Sequence, residues 1–169
     1  MVKLNLGCGM DYREGFINID GRGDLPRVDK VIDMSSSSLL DFFSEGTVDF
    51  ILANDIIEHH FHWEAVKLME DFYTLLKPTG TFEMRLPDFG KIVNSWVISL
   101  EQKITLLFGG QDIHQGEDDP SSRERYPRYF CHKYAYTRKM MKRELSVIGF
   151  IDVKTGAAGT NFWVKARKP

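Results

Sequence analysis

The sequence of 169 residues has only two cysteines, Cys8 and Cys131. At most one disulfide can form, so a small scaffold stapled by several bridges is excluded and reduced thiols are expected. No apolar run approaches the roughly 20 residues that cross a bilayer. Nor does Met1-Val2-Lys3-Leu4-Asn5 open the apolar segment that marks a secretory signal. A soluble, cytoplasmic protein without a membrane partner is therefore the expectation. Six prolines, 27% charged residues and 43% hydrophobic ones exclude collagen-like, low-complexity and disordered classes. Neither an internal repeat nor a linker interrupts the chain, and its length suits one core. Residues 1–169 are read as a single domain.

A large net charge is also missing, the formal value being -2 at pH 7. That small sum covers two opposed ends. From Arg123 to Pro169 there are 12 Lys and Arg against 3 Asp and Glu, while the remainder has 10 against 21. A basic end can attract an acidic partner. With no zinc-knuckle spacing or RNA-recognition signature beside it, nucleic acid is not expected to be that partner.

What the chain does have is a series of short apolar runs that end on glycine or an acid. Leu4-Asn5-Leu6 runs into Gly7-Cys8-Gly9, as a buried strand enters a glycine loop. Phe16 to Asp20, Lys30 to Asp33 and Val48 to Ala53, the last closed by Asn54-Asp55, read as three more strands. Between His62 and Lys77, apolar residues recur at three and four, the stripe of an amphipathic helix ended by Pro78-Thr79-Gly80. A strand over Thr81 to Leu86 follows, then an apolar helical stretch from Asp88 to about Phe108. The polar segment from Gly109 to about Arg128 is long for a compact domain, which marks residues 109–132 as an expected lid or acceptor-site insertion. Thr137 to Ile148 reads as a last helix closed by Gly149. Phe150 to Val153 and Asn161 to Ala166 read as final strands joined through Gly156 and Gly159. Alternating strands and helices favour a mainly parallel α/β sheet. Gly9 to Phe16 has room for only about one helical turn, however, where a parallel crossover normally takes a dozen residues.

In such a sheet, ligands bind beyond the C-terminal strand ends. There Gly7-Cys8-Gly9 permits close backbone approach and offers amides to an anion. Asp20 could accept hydrogen bonds from both hydroxyls of a ribose, Asp33 could accept from an adenine amino group, and Asn54-Asp55 could hold the ligand's polar end. Each alone is equally a turn or a solvated strand end. Their ordered recurrence points to one ligand.

These residues resemble the class I S-adenosylmethionine-dependent methyltransferases. Leu4 to Gly9 is similar to the family's first motif. Gly15 to Asp20 resembles its second acidic strand in a compact branch with a shortened first crossover. Ala53-Asn54-Asp55-Ile56-Ile57-Glu58-His59 resembles the segment around the fourth strand, Leu75 to Gly80 the turn into the fifth, and His132 with Tyr136-Thr137 and Gly149-Phe150 the terminal helix and its exit. The resemblance implies a Rossmann-like, seven-stranded, mostly parallel sheet with helices on both faces and one antiparallel strand in its last hairpin. It further implies S-adenosyl-L-methionine as cofactor, with Gly7, Cys8 and Gly9 at the methionine moiety, Asp20 at the ribose, Asp33 and Met34 at the adenine, Asn54 at the amino-acid end, and Asp55 and Ile56 flanking the pocket. Three positions depart from the pattern: Asn5 for an acid, Asp11 for glycine and Thr79 for glycine.

Methyl transfer asks chiefly for alignment of a nucleophile and exclusion of water. An oxygen acceptor would add a general base, for which His59 and His132 are the candidates ahead of His60, His62 and His114. The run His59-His60-Phe61-His62 hints at a metal. Neighbouring histidines point apart, though, and no Cys or carboxylate visibly completes a ligand set, so no metal is expected. Tyr126, Tyr129, Phe130, Tyr134 and Tyr136, interleaved with Arg123, Arg125, Arg128 and Lys133, suit an anionic or sugar-linked small-molecule acceptor, or else ordinary packing. The alternatives to an autonomous enzyme are a non-catalytic S-adenosylmethionine-binding module and a partner-dependent methyltransferase subunit. A nicotinamide enzyme is disfavoured because Tyr12 stands where a third glycine should, and Asp88-Phe89-Gly90 has no kinase phosphate loop to accompany it.

Overall fold

The computed structural model describes residues 1–111 and 120–169. Seven strands form one sheet: β1 (Lys3–Leu6), β2 (Ile17–Asp20), β3 (Lys30–Val31), β4 (Val48–Asn54), β5 (Leu76–Pro87), β6 (Ile151–Ala158) and β7 (Asn161–Arg167). Their order is β3-β2-β1-β4-β5-β7-β6. The first five are parallel, and β7 runs antiparallel to both β5 and β6. This is the mostly parallel, Rossmann-like architecture expected, with its antiparallel strand in the last hairpin.

Strand alternation divides the sheet into two unlike faces. Leu4, Leu6, Ile19, Ile51, Ala53, Phe82, Met84 and Val164 share the buried face. Onto it pack helices α1 (His62–Leu75), through Leu68, Met69 and Phe72, and α5 (Arg138–Ile148), through Met141 and Leu145. Phe72 meets Phe82 with ring centroids 6.1 Å apart, and Phe150 closes the cluster 4.7 Å from Phe82. The opposite face carries Lys3, Asn5, Phe50 and Glu83, with Glu83 paired to Lys165 at 2.7 Å. As the short spacing implied, the ten residues from Gly7 to Phe16 cross from β1 to β2 irregularly, and Phe16 covers Phe50 at 6.0 Å. A crossover this short has no length for a packed helix.

Other boundaries differ for identifiable reasons. The apolar stretch after Asp88 is two helices, α2 (Phe89–Val93) and α3 (Leu100–Phe108), because Ser99 and Gln102 form a capping box that starts a new helix. β5 begins at Leu76 rather than Thr81, and the Pro78-Thr79-Gly80 turn survives as a bulge: β4 advances from Val48 to Phe50 while β5 advances from Leu76 to Thr81. Gly156 lies inside β6, opposite Trp163. α4 (Pro120–Arg125) follows the undescribed residues 112–119, where part of the expected insertion falls.

Because Phe72 is fully buried between α1 and β5, Phe72→Ala should lower the unfolding free energy by about 3 to 5 kcal/mol in urea titrations. A loss below about 1 kcal/mol would show that this helix face does not form the core.

Candidate functional site at the C-terminal edge of the sheet

The loop after β1 is shaped by its contacts. Gly7 has φ +61°, and a Cβ there would lie 2.9 Å from Ile56 Cδ1; both the left-handed backbone and the contact exclude a side chain. The Cys8 amide donates to Ile19 O at 3.0 Å, and the Gly9 amide donates to Asp20 Oδ2 at 2.8 Å. Arg22 N donates to the other Asp20 oxygen at 3.0 Å. Burial raises the Asp20 pKa, against the pull of these N–H groups and the Arg22 charge. Asn5 accounts for the departure from the family's acid: its Nδ2 donates to Asp11 O at 2.7 Å and to Asn18 Oδ1 at 2.9 Å. A carboxylate could not donate to either.

Gly7, Gly9, Asp20, Met34, Ile56 and His59 surround a cavity of about 160 Å³ beyond the C-terminal ends of β1, β2 and β4. Tyr129, from the 3₁₀ turn Pro127–Tyr129, lines it as well. That ring lies on Gly21, where a Cβ would come within 2.4 Å of it. Burial, together with the charge of Asp33 and a hydrogen bond to it, pushes the Tyr129 pKa up to about 12.

No protein-family model matches the sequence, and no curated protein is similar to it in sequence. Solved structures are similar to it in fold. A SAM-dependent methyltransferase from Archaeoglobus fulgidus superposes with a TM-score of 0.65 at 16% identity, over 98% of this chain and 85% of that one. One from Mesorhizobium loti gives 0.64 at 12% identity, over 99% and 90%. Phosphoethanolamine N-methyltransferase 2 of Haemonchus contortus, in complex with S-adenosyl-L-methionine, gives 0.61 at 14% identity over the whole chain, which spans about half that enzyme's length. The chain has the fold of the SAM-dependent methyltransferases.

Within this methyltransferase fold, the structure gathers Gly7, Gly9, Asp20, Met34, Asp55 and Ile56 around one cavity. Three other sequence candidates stand outside its walls. Cys8 turns into the core. Asn54 ends β4 paired with Arg85. The Asp33 carboxylate accepts from Ser35 N and from the Ser36 hydroxyl, each at 3.0 Å, one residue before the Met34 wall. Asp55, with φ +52°, accepts from Arg85 Nε at 3.0 Å and from Asn161 Nδ2 at 3.2 Å.

His59 and His132 meet with ring centroids 4.9 Å apart. His59 Nδ1 lies 3.1 Å from Cys131 O and therefore carries the proton. Burial, and then the neighbouring His132, drives its pKa down to about 3, so the ring is neutral. His60, also on the cavity wall, is tied by Nδ1 to Ile56 O at 2.9 Å. His62 points away to Glu144, 3.1 Å from Nε2, and His114 lies outside the described residues. Sequence reading missed Glu58. It is 2% exposed, and among the described residues neither carboxylate oxygen has a hydrogen-bond partner. Burial, with the charge of Asp55, raises its pKa well above the ordinary value. Its adjacency to His59 was the available signal; its partner His132 lies too far along the chain for spacing to reveal.

The aromatic and basic residues of the C-terminal third divide between packing and support. Tyr136 is core, 1% exposed, and Tyr134 meets it edge-to-face with centroids 5.0 Å apart. Phe130 has the Arg22 and Arg123 guanidiniums at 4.8 and 4.7 Å from its centroid. Arg22 and Arg125 also converge on Asp24, at 3.1 and 3.7 Å. Of the aromatic and basic candidates between Arg123 and Tyr136, Tyr129 lines the cavity, as does Arg22 from the loop after β2.

Burial, and then the charges of Asp20 and Asp29, raises the Cys8 pKa to about 12, so at mildly alkaline pH almost none of it is the reactive thiolate. Iodoacetamide should label Cys131, which is half-exposed, in the native protein and reach Cys8 only after denaturation. Native labelling of Cys8 at its denatured rate would contradict this packing.

Proposed function

We propose that the chain binds S-adenosyl-L-methionine in the cavity at the ends of β1, β2 and β4 and transfers its methyl group to a small-molecule acceptor. The observation that carries this reading is the convergence of Gly7, Asp20, Met34 and Ile56, distant in sequence, on one cavity in a fold shared with SAM-dependent methyltransferases. The cofactor would supply a methyl group already activated by its sulfonium. The Gly7 to Gly9 backbone leaves room for the methionine part, and the remaining lone pairs of Asp20 face the ribose. Met34 and Ile56 present apolar surface to the adenine. At about 160 Å³ the cavity is smaller than the roughly 300 Å³ at which ligand sites usually begin. Tyr129 therefore swings off Gly21 as the cofactor enters.

The acceptor approaches from the His59 and His132 side, where alignment and exclusion of water supply most of the rate. The positive charges of Lys133, which acts on His59, and of Arg128, which acts on Tyr129, favour an anionic or sugar-linked acceptor, and nucleic acid is not part of the reading. Two free thiols fit work in the cytoplasm. A second reading, a methyltransferase subunit that needs a protein partner, is favoured by the exposure of Trp96, Val97, Leu100, Ile104 and Phe108 along α3 and the segment before it. Labelled methyl incorporation into a metabolite extract by the chain alone supports the autonomous enzyme. Incorporation only after a cell protein fraction is added supports the subunit.

Calorimetry should show saturable binding of S-adenosylmethionine and S-adenosylhomocysteine. Asp20→Ala should weaken it by about 1.5 to 3 kcal/mol, roughly ten- to a hundred-fold in Kd, with Asp20→Asn controlling for the lost volume. Absence of heat at high micromolar ligand would refute the cofactor, and unchanged affinity in both variants would remove Asp20 from the site.

A further inference from the structure

Glu58, His59 and His132 each direct one potential ligand atom into a common space, and these atoms all lie within 4.8 Å of one another. The three reach that point from different parts of the fold. Glu58 and His59 come from the 3₁₀ turn Ile57–His59 after β4. His132 follows Cys131, whose bridge to Gly109 brings the two ends of the 109–132 segment together.

Each imidazole is oriented from behind. With Nδ1 bound to Cys131 O, His59 keeps its Nε2 lone pair free, the arrangement in which an outer hydrogen bond fixes a metal-ligating ring. The His132 ring packs on Gly109, where a Cβ would lie 2.7 Å from its Cδ2, beside the carbonyls of Leu106 and Leu107. Glu58 is the decisive group: its carboxyl is buried, and among the described residues neither oxygen has a hydrogen-bond partner, so a ligand that satisfies these oxygens relieves an unfavourable burial. Arg85, whose charge acts on Glu58, is already engaged with Asp55.

We propose that Glu58, His59 and His132 form a binding site for a first-row divalent transition-metal ion next to the cavity at the ends of β1, β2 and β4. Two imidazole nitrogens and one carboxylate suit Zn²⁺, Mn²⁺, Fe²⁺ or Co²⁺ better than the all-oxygen preference of Ca²⁺. Three protein ligands leave open positions, and His59 also lines the cavity, so those positions face the same space. What the ion does there rests on the methyl-transfer reading. It would hold an acceptor hydroxyl as a Lewis acid: the hydroxyl proton leaves to water, and the oxygen forms the new C–O bond while the S–CH₃ bond breaks with its electron pair left on sulfur. The adjacent histidines alone gave no reason to expect a metal, because the carboxylate and the second imidazole come together only in the fold.

The test is titration of chelator-treated, full-length protein with Zn²⁺ and with Mn²⁺, without S-adenosylmethionine, so that its outcome is independent of cofactor binding. One equivalent should bind, Ca²⁺ should not compete, and pulsed electron paramagnetic resonance of the Mn²⁺ form should show nitrogen coupling from two imidazoles. Glu58→Gln and His132→Ala should each weaken binding by about a hundred-fold or more, while His62→Ala, whose ring faces Glu144, should not. Circular dichroism checks that the variants fold, and His132→Ala alone suffices if Glu58→Gln does not. No saturable binding at millimolar ion, or wild-type affinity in the folded variants, would overturn the site. Cofactor calorimetry in chelator separates that failure from failure of the methyl-transfer reading.

Discussion

Asp20 sits at the end of β2, buried, with its two carboxylate oxygens accepting the amides of Gly9 and Arg22. Those bonds tie the loop after β1 to the loop after β2 across a connection of only ten residues. A parallel pair normally carries a helix in that place, and the helix would brace both loops. Here side chains brace them instead, with Asn5 and Asn18 holding the crossover from below through bonds to Asp11 O and Arg13 N. The shape of the cavity wall from Gly7 to Arg22 follows from this bracing.

The rest of the domain has a more ordinary basis. The apolar side of the sheet is sealed by α1 and α5, and that seal holds the ends of β4 and β5 in register. From those ends come the left-handed Asp55 and the turn containing Glu58 and His59. Gly7 and Ile56 meet where the two systems join. Substitutions in the core should act on stability first, whereas changes at Asp20 or Gly7 act on the shape of the ligand cavity.

Much of this was legible in sequence because it is local. The runs ending in Gly7, Asp20, Asp33 and Asn54 located the strands and the ligand edge, and the three-and-four spacing from Trp63 to Leu76 located α1. What escaped notice depends on a local cap in one place and on contacts distant along the chain in others. Ser99 and Gln102 split one apolar stretch into two helices through a local cap that hydrophobic periodicity does not register. Tyr136, which the sequence left open between an acceptor site and ordinary packing, is drawn into the core beside His62 and Tyr134. Glu58 entered only as part of the segment after the fourth strand, and the fold alone shows its buried carboxylate meeting two imidazoles brought together from positions 59 and 132.

The central claim is that the cavity beneath Tyr129 is where the adenosyl cofactor binds. Amide chemical shifts recorded while S-adenosylhomocysteine is added test it most directly. The account predicts that the largest changes fall on Gly7, Gly9, Gly21, Met34 and Ile56, with Tyr129 moving as its ring leaves Gly21. Saturable changes that spare these amides and cluster instead in the basic C-terminal third would contradict it.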